Sequence, residues 1–233
     1  MRSHGRTHRI PRIWSNEELA KFGHLFSGDI ANVSAWKDED KQGRRYAEYF
    51  PNRSSYTLTN FDPDKRGFQG LPGEIFLDLE QPLRHDLRSC FDVVFNHTTL
   101  EHVYDFRSAF ANLCLMSRDV VIIVVPFVQQ MHGHYGDFWR FSPQAIERMF
   151  VDEGFSLAYL SFNNHHRASV YVFAIAVRNR NKWSKHLPFI VDFVDPAFKH
   201  LSEPYAGCNA INDSFLGQSR SHAFKIIRKL MRI

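Results

Sequence analysis

The chain is short of the features that mark the special classes of protein. It has three cysteines in 233 residues, Cys90, Cys114 and Cys208, and no CxxC pair. An odd, scattered set argues against a disulfide framework or a structural zinc site and fits a reducing compartment. No apolar run reaches the ~18 residues of a membrane span. The longest, Val120 to Val128, suits a buried strand. Arg2, Arg6, Arg9 and Arg12 precede no apolar stretch, so the start of the chain does not read as a secretory signal. The net charge of +4 comes without a dense basic stripe or a recognisable module, and no nucleic-acid partner is expected. The most informative shortage is glycine. The first strand runs into Asn32-Val33-Ser34-Ala35-Trp36, with no glycine until Gly43. A GxGxxG turn lets backbone approach a pyrophosphate at a helix N-terminus. Its absence counts against a nicotinamide or flavin dinucleotide, and so against a nucleotide-sugar oxidoreductase.

What is present is ordinary in bulk, 44% hydrophobic and 23% charged, and rich in phenylalanine, with 22. A sheet core accounts for those rings. Residues 1–14 read as a flexible basic arm. Ser15-Asn16-Glu17-Glu18 has the form of a capping box, opening a helix to about Phe26 that Gly28 ends. Asp29 to Ala35 is then a first strand, and Gln42 to Phe50 has helical spacing. Strands are expected at Ser55–Phe61, Ile75–Leu77, Phe91–Asn96 and Asp119–Phe127, the last buried on both faces. Val103 to Met116 reads as an amphipathic helix. Pro143, at the tolerated first position, opens another that ends at Gly154. Phe155–Phe162 and Ser169–Val177 follow, joined by a link long enough for a hairpin but too short for a parallel crossover. Alternating strands and helices predict an α/β fold with a doubly wound, Rossmann-like sheet in three layers, closed by an antiparallel strand. The domain is expected over 15–178. Residues 179–233 form an extension whose end, Ser221 to Ile233, reads as a basic amphipathic helix.

In such sheets, ligands bind beyond the carboxyl ends of the strands. Those positions hold Asn32, Ser34, Ala35 and Trp36 after the first strand, Asn60 and Asp62 after the second, and Asp78 and Leu79 after the third. Asn96, His97 and Thr98 follow the fourth. An acid after the second strand can accept hydrogen bonds from two ribose hydroxyls, and one after the third can read an adenine amino group. Each residue alone is as readily a strand-end cap. A ligand without phosphate, such as S-adenosylmethionine, does not need the glycine nest.

Phe91-Asp92-Val93-Val94-Phe95-Asn96-His97-Thr98-Thr99-Leu100-Glu101-His102-Val103 resembles the fourth-strand motif of class I S-adenosylmethionine-dependent methyltransferases. Asp137-Phe138-Trp139-Arg140-Phe141-Ser142-Pro143, followed by Gly154-Phe155, is similar to a second segment of that family, common in methyltransferases encoded with bacterial surface-glycan genes. The resemblance covers about Ser27 to Val177. It implies a seven-stranded sheet with an antiparallel last strand and methyl transfer from S-adenosylmethionine. Matched residue by residue, Asp62 would hold the ribose, Asp78 the adenine side, and Asn96 to Thr98 the methionine side. The first motif departs from the family, which usually has an acid and two or three glycines where this chain has Asn32 to Trp36.

For an oxygen acceptor, a general base near neutral pH is expected to be histidine. The candidates are His134 and His132 in the loop after the fifth strand, and Glu101 with His102. Asp137, Trp139 and Arg140 are candidates for the acceptor site, with packing and loop capping as the plainer alternative. His132, His134 and Asp137 lack a fourth metal ligand, and no metal is expected. The expected function is O-methylation of a small or glycan-linked acceptor in polysaccharide biosynthesis. The competing reading is a non-catalytic binding protein on the same fold. The expected location is cytoplasmic, with the C-terminal helix lying on the inner face of the membrane, on its own domain or on another subunit.

Overall fold

The computed structural model describes residues 4–65, 67–132, 136–165, 168–200, 202 and 204–212. Eight strands form one sheet, in the order β3-β2-β1-β4-β5-β7-β6-β8. They are β1 (Ser27–Val33), β2 (Asn52–Asn60), β3 (Ile75–Phe76), β4 (Phe91–His97), β5 (Ser117–Val128), β6 (Ser156–Phe162), β7 (Val170–Val177) and β8 (Ile190–Val191). The first five are parallel, and β7 runs antiparallel to both β5 and β6. The expected class is present, with eight strands rather than seven. The extra one, β8, lies parallel to β6 through Tyr159↔Ile190 and Leu160↔Val191 and occupies what would otherwise be an open edge.

Chain order reverses between β1 and β4. From β1 the chain steps outward to β2 and β3, then returns to β4 on the other side. Connections diverge there, which opens a crevice at the carboxyl ends of the strands. The β5 run from Val120 to Val125 is wholly buried, as a strand covered on both faces must be.

One face is covered by α2 (Phe106–Met116) and α3 (Pro143–Asp152). Phe110, Leu113, Ile146 and Phe150 join Val94, Val121 and Ile123 of the sheet. Both helices have side-chain caps. Asp105 accepts from the Ser108 amide, and Ser142 from the Ala145 amide. The other face is covered by α1 (His4–Phe22), the turn Tyr46–Tyr49 and α4 (Arg180–Trp183), through Leu19, Tyr49, Phe50, Trp183 and Leu187. The described part of the extension ends with α5 (Cys208–Asn212).

Four local readings change. The first helix starts at His4, so residues 4–14 are helical rather than a flexible arm. Ser15 is not its cap, since Ser15 Oγ donates to the Arg12 carbonyl, 2.9 Å away inside the helix. Gly28 does not stop a helix. It is the second residue of β1, at φ +88°, where a Cβ would collide with the Asp92 carboxylate. The expected helix over Gln42–Phe50 is one 3-10 turn, Tyr46–Tyr49. Asp40 Oδ1 accepts from the Gln42 and Arg44 amides, a local turn that competes with a helix start. The predicted helix at Ser221–Ile233 lies outside the described residues. Among the described residues no helix is long and apolar enough to cross a membrane.

Candidate functional site

A cavity of about 450 Å³ opens at the carboxyl ends of β1, β2 and β4. That volume is in the range of small-ligand pockets, about 300–1,000 Å³. Ten of the eleven residues picked from the strand ends line it: Asn32, Ser34, Ala35, Trp36, Asn60, Asp62, Asp78, Leu79, His97 and Thr98. Asn96 does not. It is fully buried and donates from Nδ2 to the Val33 carbonyl at 2.9 Å. It ties β4 to β1 beneath the cavity.

The glycine-free loop shapes one wall. Ser34, Trp36 and Asp38 have φ of +58°, +49° and +55°. Each left-handed residue costs roughly 1–2 kcal/mol. The cost is offset by a dense set of bonds. Asn60 clamps Trp36 from both sides, accepting from its amide at 2.7 Å and donating to its carbonyl at 3.2 Å. The Ala35 amide donates to the Thr59 carbonyl at 3.2 Å. Below, the buried Asp38 Oδ1 accepts from Asn32 at 2.9 Å and from the Tyr56 hydroxyl at 2.6 Å. Side chains on neighbouring strands thus hold the backbone shape that glycines would allow without strain.

Acids and cations are distributed around the cavity. Glu39, Asp62, Asp78 and Glu80 line it together with Arg12 and Lys41. Asp78 Oδ1 accepts from the Glu80 amide at 3.0 Å, which fixes the turn after β3. Arg12 comes from α1 and is hydrogen-bonded to Tyr171 of β7. His97 Nε2 lies 2.9 Å from Ser15 Oγ and Nδ1 lies 3.1 Å from Thr98 Oγ1. Enclosure by protein, then the Arg12 charge, pushes this imidazole well below its ordinary value of 6.5. It is neutral at physiological pH. At the mouth, Tyr104 and Phe138 stack edge to face at 5.4 Å, and Tyr104 is 70% exposed.

Candidates from the later motifs divide. His102 lines the cavity. Glu101 is sealed at 0% exposure and is not a base at the rim, and its burial pushes the carboxyl up. His132 sits outside the lining but packs edge to face on His102, with ring centroids 5.1 Å apart. His134 lies outside the described residues. Asp137, Trp139 and Arg140, expected at the acceptor site, do not line the cavity and are engaged within their loop or with the connection after β4. Arg140 donates to both oxygens of Asp137, at 2.5 and 2.7 Å, and to the Gln129, Gln130 and Trp139 carbonyls. Its fork is spent on the loop. Burial pushes the Asp137 carboxyl up, but the bonds from Arg140 and the His132 amide outweigh this and hold it at about 2. Trp139 Nε1 donates to the Val103 and Tyr104 carbonyls, and its ring packs on Phe106.

Sequence reasoning missed Arg12, Lys41, Glu80, Tyr104 and Phe138 as cavity residues. Arg12 was assigned to an arm, although its i, i+3 relation to Ser15 marks a continuing helix. The others sit in loops with no spacing signal.

No protein-family model matches the chain, and no curated protein does. Solved structures of similar fold include a protein from Listeria monocytogenes described as a candidate S-adenosylmethionine-dependent methyltransferase. It shares 10% identity over 71% of this chain and 98% of its own, with a TM-score of 0.49. The 1,6-didemethyltoxoflavin-N1-methyltransferase of Burkholderia thailandensis, solved with S-adenosylhomocysteine, shares 12% over 71% and 80%, with a TM-score of 0.47. The magnesium protoporphyrin IX methyltransferase of Synechocystis, solved with S-adenosylmethionine, shares 14% over 76% and 80%, with a TM-score of 0.45. All three TM-scores lie below 0.5. The fold itself is defined by the strand order above.

Proposed function

We propose that the protein is an S-adenosylmethionine-dependent methyltransferase acting on the oxygen of a small or glycan-linked acceptor. The observation that carries this reading is the cavity at the switch point of the sheet, where the strand-end residues converge. The resemblance of the Leu100-Glu101-His102 and Trp139-Arg140-Phe141-Ser142-Pro143 segments to the family adds to it.

The cavity fits the cofactor's chemistry. Asp62 is suited to accept from ribose hydroxyls, while Leu77 and Leu79 offer an apolar wall for an adenine beside Asp78. Arg12 and Lys41 can meet the methionine carboxylate. Ser34 and Ala35 are small enough for close backbone approach. When bound, the cofactor supplies a methyl group on a sulfonium, ready for direct displacement. The protein then has to align the acceptor, and alignment can account for much of the acceleration. Tyr104 and Phe138 give the acceptor an aromatic platform, and such rings pack well on the apolar face of a sugar or an aromatic ring. A hydroxyl acceptor must give up a proton, and His102 is the candidate base that reaches the cavity.

Calorimetry tests the reading. S-adenosylmethionine and its demethylated product should each bind with one-to-one stoichiometry. No binding of either at millimolar concentration overturns it.

A further inference from the structure

The Glu101 carboxylate is wholly buried, and neither oxygen has a hydrogen-bond partner among the described residues. An ionised carboxylate without partners is costly in that setting, so the side chain needs a proton or a cation. Two imidazoles face it. His102 Nε2 lies 3.8 Å from Glu101 Oε1. One ligating atom from each of Glu101, His102 and His132 lies within 4.8 Å of the others.

The surroundings of the two rings are those of metal ligands. Histidines on a metal usually have the second ring nitrogen fixed by a carbonyl or carboxylate. His102 Nδ1 lies 2.5 Å from the Gly136 carbonyl. His132 Nδ1 lies 3.0 Å from the Gln129 side-chain amide and 3.3 Å from Asp137 Oδ2. Asp137 is in turn held by Arg140. The Gly136 carbonyl, accepting from Nδ1, leaves Nε2 of His102 suited to ligation; at His132 the Asp137 carboxylate favours the same nitrogen once the Gln129 amide turns its oxygen to the ring. The three residues come from two connections, one after β4 and one after β5. That is why the histidines and acid of the β5 loop alone, read along the sequence, fell short of a site.

We propose that Glu101, His102 and His132 bind one divalent first-row transition-metal ion. Two imidazoles and a carboxylate form a donor set shared by catalytic zinc and non-haem iron(II), and three protein ligands leave coordination positions open. The ion would meet the two Glu101 oxygens that lack hydrogen-bond partners and fix the β4 and β5 connections to each other. His102 also lines the cavity, so the ion sits at its acceptor end. With the ion bound, both nitrogens of His102 are engaged and it no longer serves as base; a role of the ion toward the acceptor rests on the methyl-transfer reading above, whereas binding of the ion does not.

Cobalt(II), titrated into the full-length, metal-free protein without cofactor, provides the test. One equivalent should bind with visible ligand-field absorption and be displaced by zinc. His102→Gln and His132→Gln should each weaken binding at least tenfold. No binding overturns the proposal, as does unchanged affinity in both variants, which would put the ion on other histidines among the chain's 13. A further measurement needs no variant. X-ray absorption of the zinc-loaded protein should show two imidazoles at the metal, and fewer than two overturns the proposal. Failure of cofactor binding with intact metal binding would refute only the methyl-transfer reading.

Discussion

The two halves of the sheet are built differently. Beyond β4, the β4–β5 and β5–β6 connections carry α2 and α3, packed through Phe110, Ile146 and Phe150 on the sheet. On the other side, the β1–β2, β2–β3 and β3–β4 connections carry, among the described residues, only 3-10 turns. There side-chain bonds do the work that helices do elsewhere. Asp38 gathers Asn32 and Tyr56, and Asn60 grips Trp36. Most of the cavity wall comes from that second half, and most of the rest from the connections after β4 and β5. A loop fixed by polar bonds can place carboxylates and backbone where a ligand needs them, but its stability is concentrated in a few buried groups. The helical half spreads its stability over many apolar contacts.

The comparison makes predictions of decreasing size. Phe150→Ala, in the helical half, should cost about 3–5 kcal/mol by chemical denaturation, as large aromatic truncations do. Its cofactor affinity, measured where it remains folded, should stay near wild type. Asp38→Ala should cost about 2–3 kcal/mol by leaving buried donors without their acceptor, and calorimetry should show cofactor affinity falling as well. Equal retention of affinity in both variants would break the contrast between the halves.

A third prediction concerns pH. His97 has a folded pKa well below 6.5, so the unfolded chain binds its proton first as pH falls. The stability this group contributes is complete above pH 6.5 and is lost below it, at up to about 1.4 kcal/mol per pH unit. Melting curves should show the decline beginning near pH 6.5, and His97→Asn should remove that part. Asp137, held at about 2, adds a loss only at much lower pH. Asp78→Ala should weaken cofactor binding about tenfold, the scale of one hydrogen bond to a charged group, with little change in melting temperature. The smallest effect is expected of Ser34→Gly. It should relieve a left-handed φ of +58° and raise stability by about 0.5–1 kcal/mol. A lowered stability would mean that Ser34 has contacts worth more than its strain.

Period and punctuation made much of the fold legible. The Val120–Val125 run, the Ser142-Pro143 helix start and the short link before Val170 each depend on neighbours in sequence, and each lies where it was expected. Ends of strands were legible for the same reason, and so the wall residues of the cavity were too. Helices read from spacing alone were less secure. Gln42–Phe50 lost to the Asp40 turn, and the strand-end residue Asn96 pointed into the sheet.

The sequence by itself determined the order of elements, the class of sheet and the strand ends that meet at the switch point, because these follow from local periodicity and topology. Only the tertiary structure decided what a glycine-free loop can be, since its left-handed Trp36 and Asp38 are held by Asn60 and Tyr56 of β2. It also decided that Arg12 reaches the cavity, that Arg140 reaches back to the Gln129 and Gln130 carbonyls, and that Glu101 meets His132 of another connection. Each of these depends on groups brought together by folding, and spacing along the chain carries no record of them.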